Sequence, residues 1–166
     1  MTDLNETSAK PARDKKIFAY ACFILARRRY SVSEFRGKLE KKFPDKPEEV
    51  TQIIDLFLER KYLDDSEYAR IYILDQLARK PQGLRLIKQK LRHKGINETT
   101  LSGTFQEQIY DEDELIRQAL TKKARTLTSA PPRLAKQKLF RFLISRGFGY
   151  ENIMKALSAE NPFTDS

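Results

Sequence analysis

Few residues of this chain could carry out catalysis, because it contains one histidine and one cysteine. His93 stands in a run of lysines and arginines that disfavours a charged imidazole, and no second histidine is available to support it in acid–base chemistry. Cys22 lies at helical spacing from Phe18, Ala21 and Leu25, which predicts a buried thiol. Neither residue indicates an active site.

The adjacent carboxylates Asp64 and Asp65 are the feature that most resembles an enzyme. Successive residues at a helix start point in different directions, so one aspartate as the N-cap and the other near the positive helix terminus explain the pair structurally. The sequence has no glycine-rich phosphate loop, dinucleotide fingerprint or metal-ligand spacing. We therefore predict a protein that binds rather than catalyses, with no cofactor and no metal.

The basic residues are segregated along the chain, which has a formal charge of +9. Residues 27–42 hold seven Lys or Arg against two acids, 79–94 hold seven against none, and 122–146 hold eight against none. Solvated helix faces usually mix the two signs, because opposite charges one turn apart stabilise a helix and like charges destabilise it. This pattern favours a polyanion or an acidic protein surface as the partner.

The predicted basic face could also consist of lysines and arginines that only solvate exposed helices. No pattern favours a base-stacking platform or a recognition helix that reads base edges. The candidate binding residues are Arg27, Arg28, Arg36, Lys38, Lys42, Arg79, Lys80, Arg85, Lys88, Lys90, Arg92, Lys94, Arg133, Lys136, Arg141 and Arg146.

Helices must position these side chains, because apolar residues recur with a period of 3.6 almost throughout the chain. Val50, Ile53, Ile54 and Phe57, for example, share one helical face. Capping residues, prolines and glycines divide the chain into nine predicted helices at 15–30, 32–43, 47–60, 65–79, 82–94, 98–109, 112–127, 131–146 and 149–159.

A repeat of about 52 residues groups these helices in threes. Three triplets of equivalent residues carry it: Leu39, Leu91 and Leu143; Phe35, Ile87 and Leu139; Lys42, Lys94 and Arg146. A unit of three helices buries too little apolar surface alone, so neighbouring units should stack. The predicted fold is all-α, with three tandem three-helix repeats in an elongated, curved, right-handed array.

The repeats are predicted at 14–62, 63–110 and 111–160, between an N-terminal tail at 1–13 and a C-terminal tail at 161–166. The polar start lacks the apolar stretch of a secretory signal, and no segment is apolar enough for a membrane span. We expect a cytoplasmic monomer.

A signature is formed by Tyr62, Leu63, Asp64, Asp65, Tyr68, Ala69, Gly83, Leu91 and Gly95 around the second repeat, with Gly147 in the third. Through these residues the chain resembles the RecX family of bacterial recombination regulators. The resemblance extends over residues 15–158, and Lys61 stands where the family usually carries glycine.

The resemblance implies a negative regulator of the RecA recombinase that lies in the groove of the RecA filament on single-stranded DNA and inhibits ATP hydrolysis and strand exchange. Expected partners are this filament and single-stranded DNA, with double-stranded DNA as a further candidate. The alternative is a nonspecific DNA- or RNA-binding helical protein that uses the same basic residues.

Overall fold

The computed structural model describes residues 14–106, 110–127 and 129–159. These residues form nine helices and no strand: α1 (Lys15–Leu25), α2 (Val32–Lys42), α3 (Pro47–Glu59), α4 (Asp65–Arg79), α5 (Leu84–His93), α6 (Glu98–Gln106), α7 (Glu112–Ala124), α8 (Pro132–Ser145) and α9 (Tyr150–Ala159). The predicted tails at 1–13 and 161–166 and the predicted end of α6 at 107–109 fall outside the described residues.

The all-α repeat fold is confirmed, and each predicted helix triple has its own hydrophobic core. Helix α3 packs against α1 and α2, and the members of the other two triples pack against one another. The two apolar positions that define the 52-residue period are fully buried in every triple, with 0% exposure for Phe35, Leu39, Ile87, Leu91, Leu139 and Leu143.

The chain divides into two compact units, one ending at Asp64 and the other beginning at Asp65. The first unit contains α1–α3, and the second contains both later triples. The boundaries predicted for three separate repeats remain a prediction.

Two glycines join the triples of the second unit by backbone contact. The Gly83 N–H, at the N-cap of α5, donates a 2.8 Å hydrogen bond to the carbonyl of Arg146, the C-cap of α8. A Cβ on Gly83 would lie 2.2 Å from the carbonyl oxygen of Gly147. A Cβ on Gly147 would lie 2.4 Å from the Cβ of Leu86. The start of α5 and the end of α8 therefore interlock with no room for a methyl group.

Helix α1 ends at Leu25, five residues before its predicted end at residue 30. Ser31 must be extended because it caps α2, where its hydroxyl accepts from the Glu34 N–H and the Glu34 carboxylate accepts from the Ser31 N–H. The chain between Leu25 and Ser31 therefore forms the connection, and three consecutive arginines occupy it.

The prediction of a buried Cys22 is wrong, because this side chain is exposed. The buried face of α1 consists of Ile17, Ala21 and Ile24. Cys22 follows Ala21 by one residue, which turns it about 100° away from that face. Its apolar neighbours Phe18 and Leu25 are only partly buried and lie at the margin of the core.

The turn after α3 contains Lys61 in the left-handed conformation, with φ of 58°. The Tyr62 N–H donates to the Phe57 carbonyl at 2.8 Å and the Lys61 N–H to the Leu58 carbonyl at 3.0 Å, which defines a Schellman motif. Gly95 and Gly147 adopt φ of 79° and 82° at the ends of α5 and α8. Lys61 thus occupies the left-handed position that closes the helix end, where a Cβ atom is sterically unfavourable.

Replacing Lys61 with glycine is expected to raise the free energy of unfolding by about 0.5–1 kcal/mol, because relief of left-handed strain exceeds the entropy that glycine adds to the unfolded chain. The exposed Lys61–Asp64 pair at 3.6 Å contributes little. Urea denaturation measures the change. Arg60→Gly is the control, since Arg60 has φ of −86° and should lose stability. Equal losses for the two variants would contradict the strain argument.

Candidate polyanion-binding surface

Two of the candidate arginines in the first unit lie close to acids of α2. The Arg28 guanidinium lies 3.6 Å from Glu34 and stacks 3.6 Å above the Tyr30 ring. Arg36 lies 3.9 Å from Glu40. Glu34 and Glu40 are the two acids of the first basic window. Their proximity reduces the positive charge that these arginines offer to a partner.

The other candidates of this unit have no carboxylate within salt-bridge distance among the described residues. The Arg27 guanidinium lies 4.7 Å above Phe23, and the Lys42 ammonium lies 6.0 Å from the Tyr20 ring centre. Lys38 is exposed on α2. These three cations therefore remain available for a negatively charged ligand.

Arg92 is neutralised by an acid that lies outside its basic window. Its Nε and Nη2 each donate a 2.9 Å hydrogen bond to the carboxylate of Glu98 at the start of α6. This bidentate contact holds the pKa of Glu98 below its usual range. Arg79 is similarly paired with Asp75, one turn earlier in α4. Both arginines are therefore weaker candidates for a polyanion contact than charge counting indicates.

Lys90 is the candidate that the structure positions most firmly. Its ammonium donates hydrogen bonds to the side-chain oxygens of Gln76 at 2.9 Å and Gln82 at 2.8 Å. Gln82 is itself buried and donates to the Gln76 carbonyl at 3.1 Å. Partial burial, together with the charges of Arg146 and Lys80, lowers the pKa of Lys90. We call Lys80, Lys90 and Arg146 the junction cluster, because the charges of Lys80 and Arg146 act on Lys90 and Arg146 caps the end of α8 that meets α5.

Arg146 connects the junction cluster to the interlock of Gly83 and Gly147. The backbone carbonyl of Arg146 accepts the hydrogen bond from the Gly83 N–H, and its guanidinium lies 5.0 Å from the Phe142 ring centre. Sequence analysis included all three cations but missed Gln76 and Gln82, for which the sequence contains no signal beyond their proximity to Lys80.

Three further candidates lie on or beside α5. Arg85 is exposed and has no acidic partner among the residues that the structure describes. The Lys88 ammonium lies 4.7 Å from the Phe105 ring centre, and that of Lys94 lies 5.4 Å from Tyr72. These contacts orient the long side chains along the aromatic rings.

In the third triple, Arg133, Lys136 and Arg141 are exposed along α8. They form one side of an open groove of about 420 Å³, whose other lining residues are Gln137, Phe140, Met154 and Leu157. The sequence indicated the cations but not the apolar surface beside them, because Met154 and Leu157 follow the periodicity of a core stripe.

The remaining polar candidates are His93 and the adjacent pair Asp64 and Asp65. The Nδ1 of the exposed His93 lies 2.8 Å from the Gln89 carbonyl, one turn earlier in its own helix. Asp64 precedes the first residue of α4, and Asp65 begins it, as the capping interpretation requires. Within the described ranges no group of three or more potential ligands could hold a metal ion. None of the described helices has the length and apolar character needed to cross a membrane.

Two family models match the chain. Residues 64–102 match the model described as RecX, second three-helix domain, and residues 111–157 match RecX, third three-helix domain. The first range covers α4, α5 and the start of α6, and the second covers α7, α8 and most of α9.

Full-length relatives and solved structures agree with these matches. The chain is 32% identical to the regulatory protein RecX of Chlorobium limicola, covering 84% of this chain and 86% of the relative. It is 33% identical to that of Cronobacter sakazakii, covering 89% and 94%. A crystal structure of RecX from Lactobacillus salivarius superposes with a TM-score of 0.73 at 21% identity, covering 87% of this chain and 94% of the other. This last likeness concerns the fold alone.

Proposed function

The chain belongs to the RecX family, and from this membership we propose that it is a negative regulator of the RecA recombinase. It binds the RecA filament on single-stranded DNA in the filament groove and inhibits ATP hydrolysis and strand exchange. Partner recognition is assigned to the basic residues that lack a carboxylate partner, with the junction cluster and Arg85 in the second unit as the main contacts.

The observation that carries this assignment is the way Lys90 is held. Two glutamine oxygens fix the ammonium, and the nearby charges of Arg146 and Lys80 make its protonated form less favourable. A phosphate or carboxylate placed beside the cluster relieves that repulsion, so the cluster gains more from an anion than isolated surface lysines do. Fixing the ammonium in advance also reduces the entropy lost on binding.

Charge reversal at Lys80 and Arg85 tests the proposal. The double variant Lys80→Glu/Arg85→Glu is expected to raise the protein concentration needed for half-inhibition of RecA ATPase by about tenfold or more, because two exposed attractive contacts become repulsive. Both side chains are exposed and have no acidic partner in the described chain, so the melting temperature should change little. Arg92 is left intact because its reversal would place two carboxylates together.

The matched control is Lys16→Glu/Arg60→Glu, which makes the same change in net charge at exposed positions outside the three basic windows. It should inhibit like the parent protein. Equal loss in both variants would mean that total charge decides binding, as for a nonspecific nucleic-acid binder. Equal inhibition of an unrelated ATPase that depends on single-stranded DNA would favour that same alternative, and no effect of excess parent protein on RecA would overturn the proposal.

A further inference from the structure

The groove between α8 and α9 combines an apolar floor with a basic rim. Its seven lining residues are Arg133, Lys136, Gln137, Phe140, Arg141, Met154 and Leu157, and together they enclose about 420 Å³. This volume lies within the range of ordinary ligand-binding clefts. We call it the α8–α9 groove.

The floor of the α8–α9 groove exposes apolar surface that the third core does not need. Met154 is 38% exposed, although its neighbour one turn on, Leu157, belongs to the core at 6% exposure. Phe140 is only partly buried. Apolar area left in water between two helices gains free energy when another apolar group covers it.

The rim carries three cations and no acid. Arg133, Lys136 and Arg141 are all exposed, and no carboxylate lies within salt-bridge distance of them in the described ranges. Two of them occupy the first turns of α8, where the positive end of the helix disfavours further positive charge. That first turn contains no acid and has no side-chain cap, whereas the first turn of α7 contains three acids. The start of α8 therefore carries excess positive charge, which an anionic ligand would neutralise.

The shape of the floor favours a peptide over a nucleic acid. Bases bind single-strand binders by stacking on flat aromatic faces. The only ring among the seven lining residues is Phe140, which is partly buried and packs edge-to-face with Tyr150 at 5.7 Å between ring centres. Met154 presents a flexible apolar side chain, which suits aliphatic or aromatic side chains of a protein segment.

We propose that the α8–α9 groove binds an acidic peptide segment that inserts an apolar side chain between Phe140 and Met154 and places its carboxylates against Arg133, Lys136 and Arg141. The inference rests on the proposed function, since it assigns this part of the basic surface to the protein of the nucleoprotein partner. The junction cluster would then bind phosphates or other acidic groups of the same nucleoprotein partner.

Fluorescence anisotropy on the full chain tests the groove directly. The probe is a fluorescein-labelled synthetic peptide with glutamates on one face and leucines at positions i, i+3 and i+4, and a second probe replaces its leucines with serines. The leucine probe is expected to bind about tenfold or more tighter than the serine probe, because only it covers the floor. Equal affinity of the two probes, or no saturable binding of the leucine probe, would overturn the proposal.

Variants locate the binding. Met154→Glu and Lys136→Glu should each weaken the leucine probe about tenfold, through the floor and the rim respectively, and Met154→Glu should leave an oligothymidylate probe within about twofold. The controls are Leu74→Glu and Arg60→Glu, which introduce a glutamate at one exposed apolar and one exposed basic position elsewhere. If Met154→Glu weakens the oligonucleotide as much as the peptide, the groove is a nucleic-acid site and the inference is wrong.

RecA ATPase separates this inference from the function on which it rests. Peptide binding without any effect of the parent protein on RecA would overturn the proposed function and leave the groove assignment standing as a peptide site. Inhibition of RecA by the parent protein, with no peptide binding and no effect of Met154→Glu on that inhibition, would overturn the groove assignment alone.

Discussion

Replacing Gly83 with alanine is expected to lower the free energy of unfolding of the second unit by about 2–4 kcal/mol, through overpacking and a lost hydrogen bond. The added Cβ would lie 2.2 Å from the Gly147 carbonyl oxygen and 2.6 Å from the Phe148 nitrogen. Both are backbone atoms, so relief requires α5 and α8 to separate. That movement breaks the 2.8 Å hydrogen bond from the Gly83 N–H to Arg146.

The backbone conformation of Gly83 makes this loss diagnostic. Its φ of −71° and ψ of 149° suit alanine, so in the absence of a close contact the substitution would stabilise the protein by restricting the unfolded chain. Gly103→Ala provides the control, because nothing lies within 4 Å of a Cβ on this glycine inside α6. Urea denaturation should show a gain of about 0.5–1 kcal/mol for Gly103→Ala. A gain for Gly83→Ala as well would contradict the interlock.

Replacing Leu91 with alanine should cost about 2–5 kcal/mol, the range for a leucine removed from a packed core. Leu91 is 0% exposed in the core formed by α4–α6, and its carbonyl accepts the 3.1 Å hydrogen bond from Ile96 that closes the turn after α5. The lost side chain leaves a cavity that surrounding helices fill only in part. Denaturation followed by circular dichroism measures the change.

Leu74→Ala is the matched control for Leu91→Ala. This leucine lies in the same unit but is 48% exposed, so its truncation should change stability by less than about 0.5 kcal/mol. Leu39→Ala and Leu143→Ala should lose as much as Leu91→Ala, since all three are 0% exposed. A small loss at any of them would mean that its triple is not packed like the others.

The cores could be predicted from sequence because burial inside a helix depends on local periodicity. Leu39, Leu91 and Leu143 repeat at a fixed interval and all prove fully buried. The prediction for Cys22 failed because Phe18 and Leu25 lie at the edge of the apolar face of α1. Helical spacing from residues at that edge does not place a side chain at the centre of the face. A one-residue step along α1 was enough to move the thiol into solvent.

The charges of the candidate surface could be predicted only in part. Counting within a window finds partners on the same helix, but Glu98 reaches Arg92 from the following helix. Lys90 obtains its fixed position from Gln76 and Gln82, which precede it by 14 and 8 residues and meet only after α4 and α5 have packed. Contacts of this kind depend on tertiary structure, which periodicity does not encode.

The exposed position of Cys22 has a practical consequence. Because the chain has a single cysteine, a maleimide fluorophore attaches at one defined point without any engineered substitution. That point lies on α1, between Ala21 and Phe23, while the junction cluster and the α8–α9 groove belong to the second unit. A labelled protein would therefore report partner association through its rotational diffusion, with the dye attached to the unit that carries neither the junction cluster nor the α8–α9 groove.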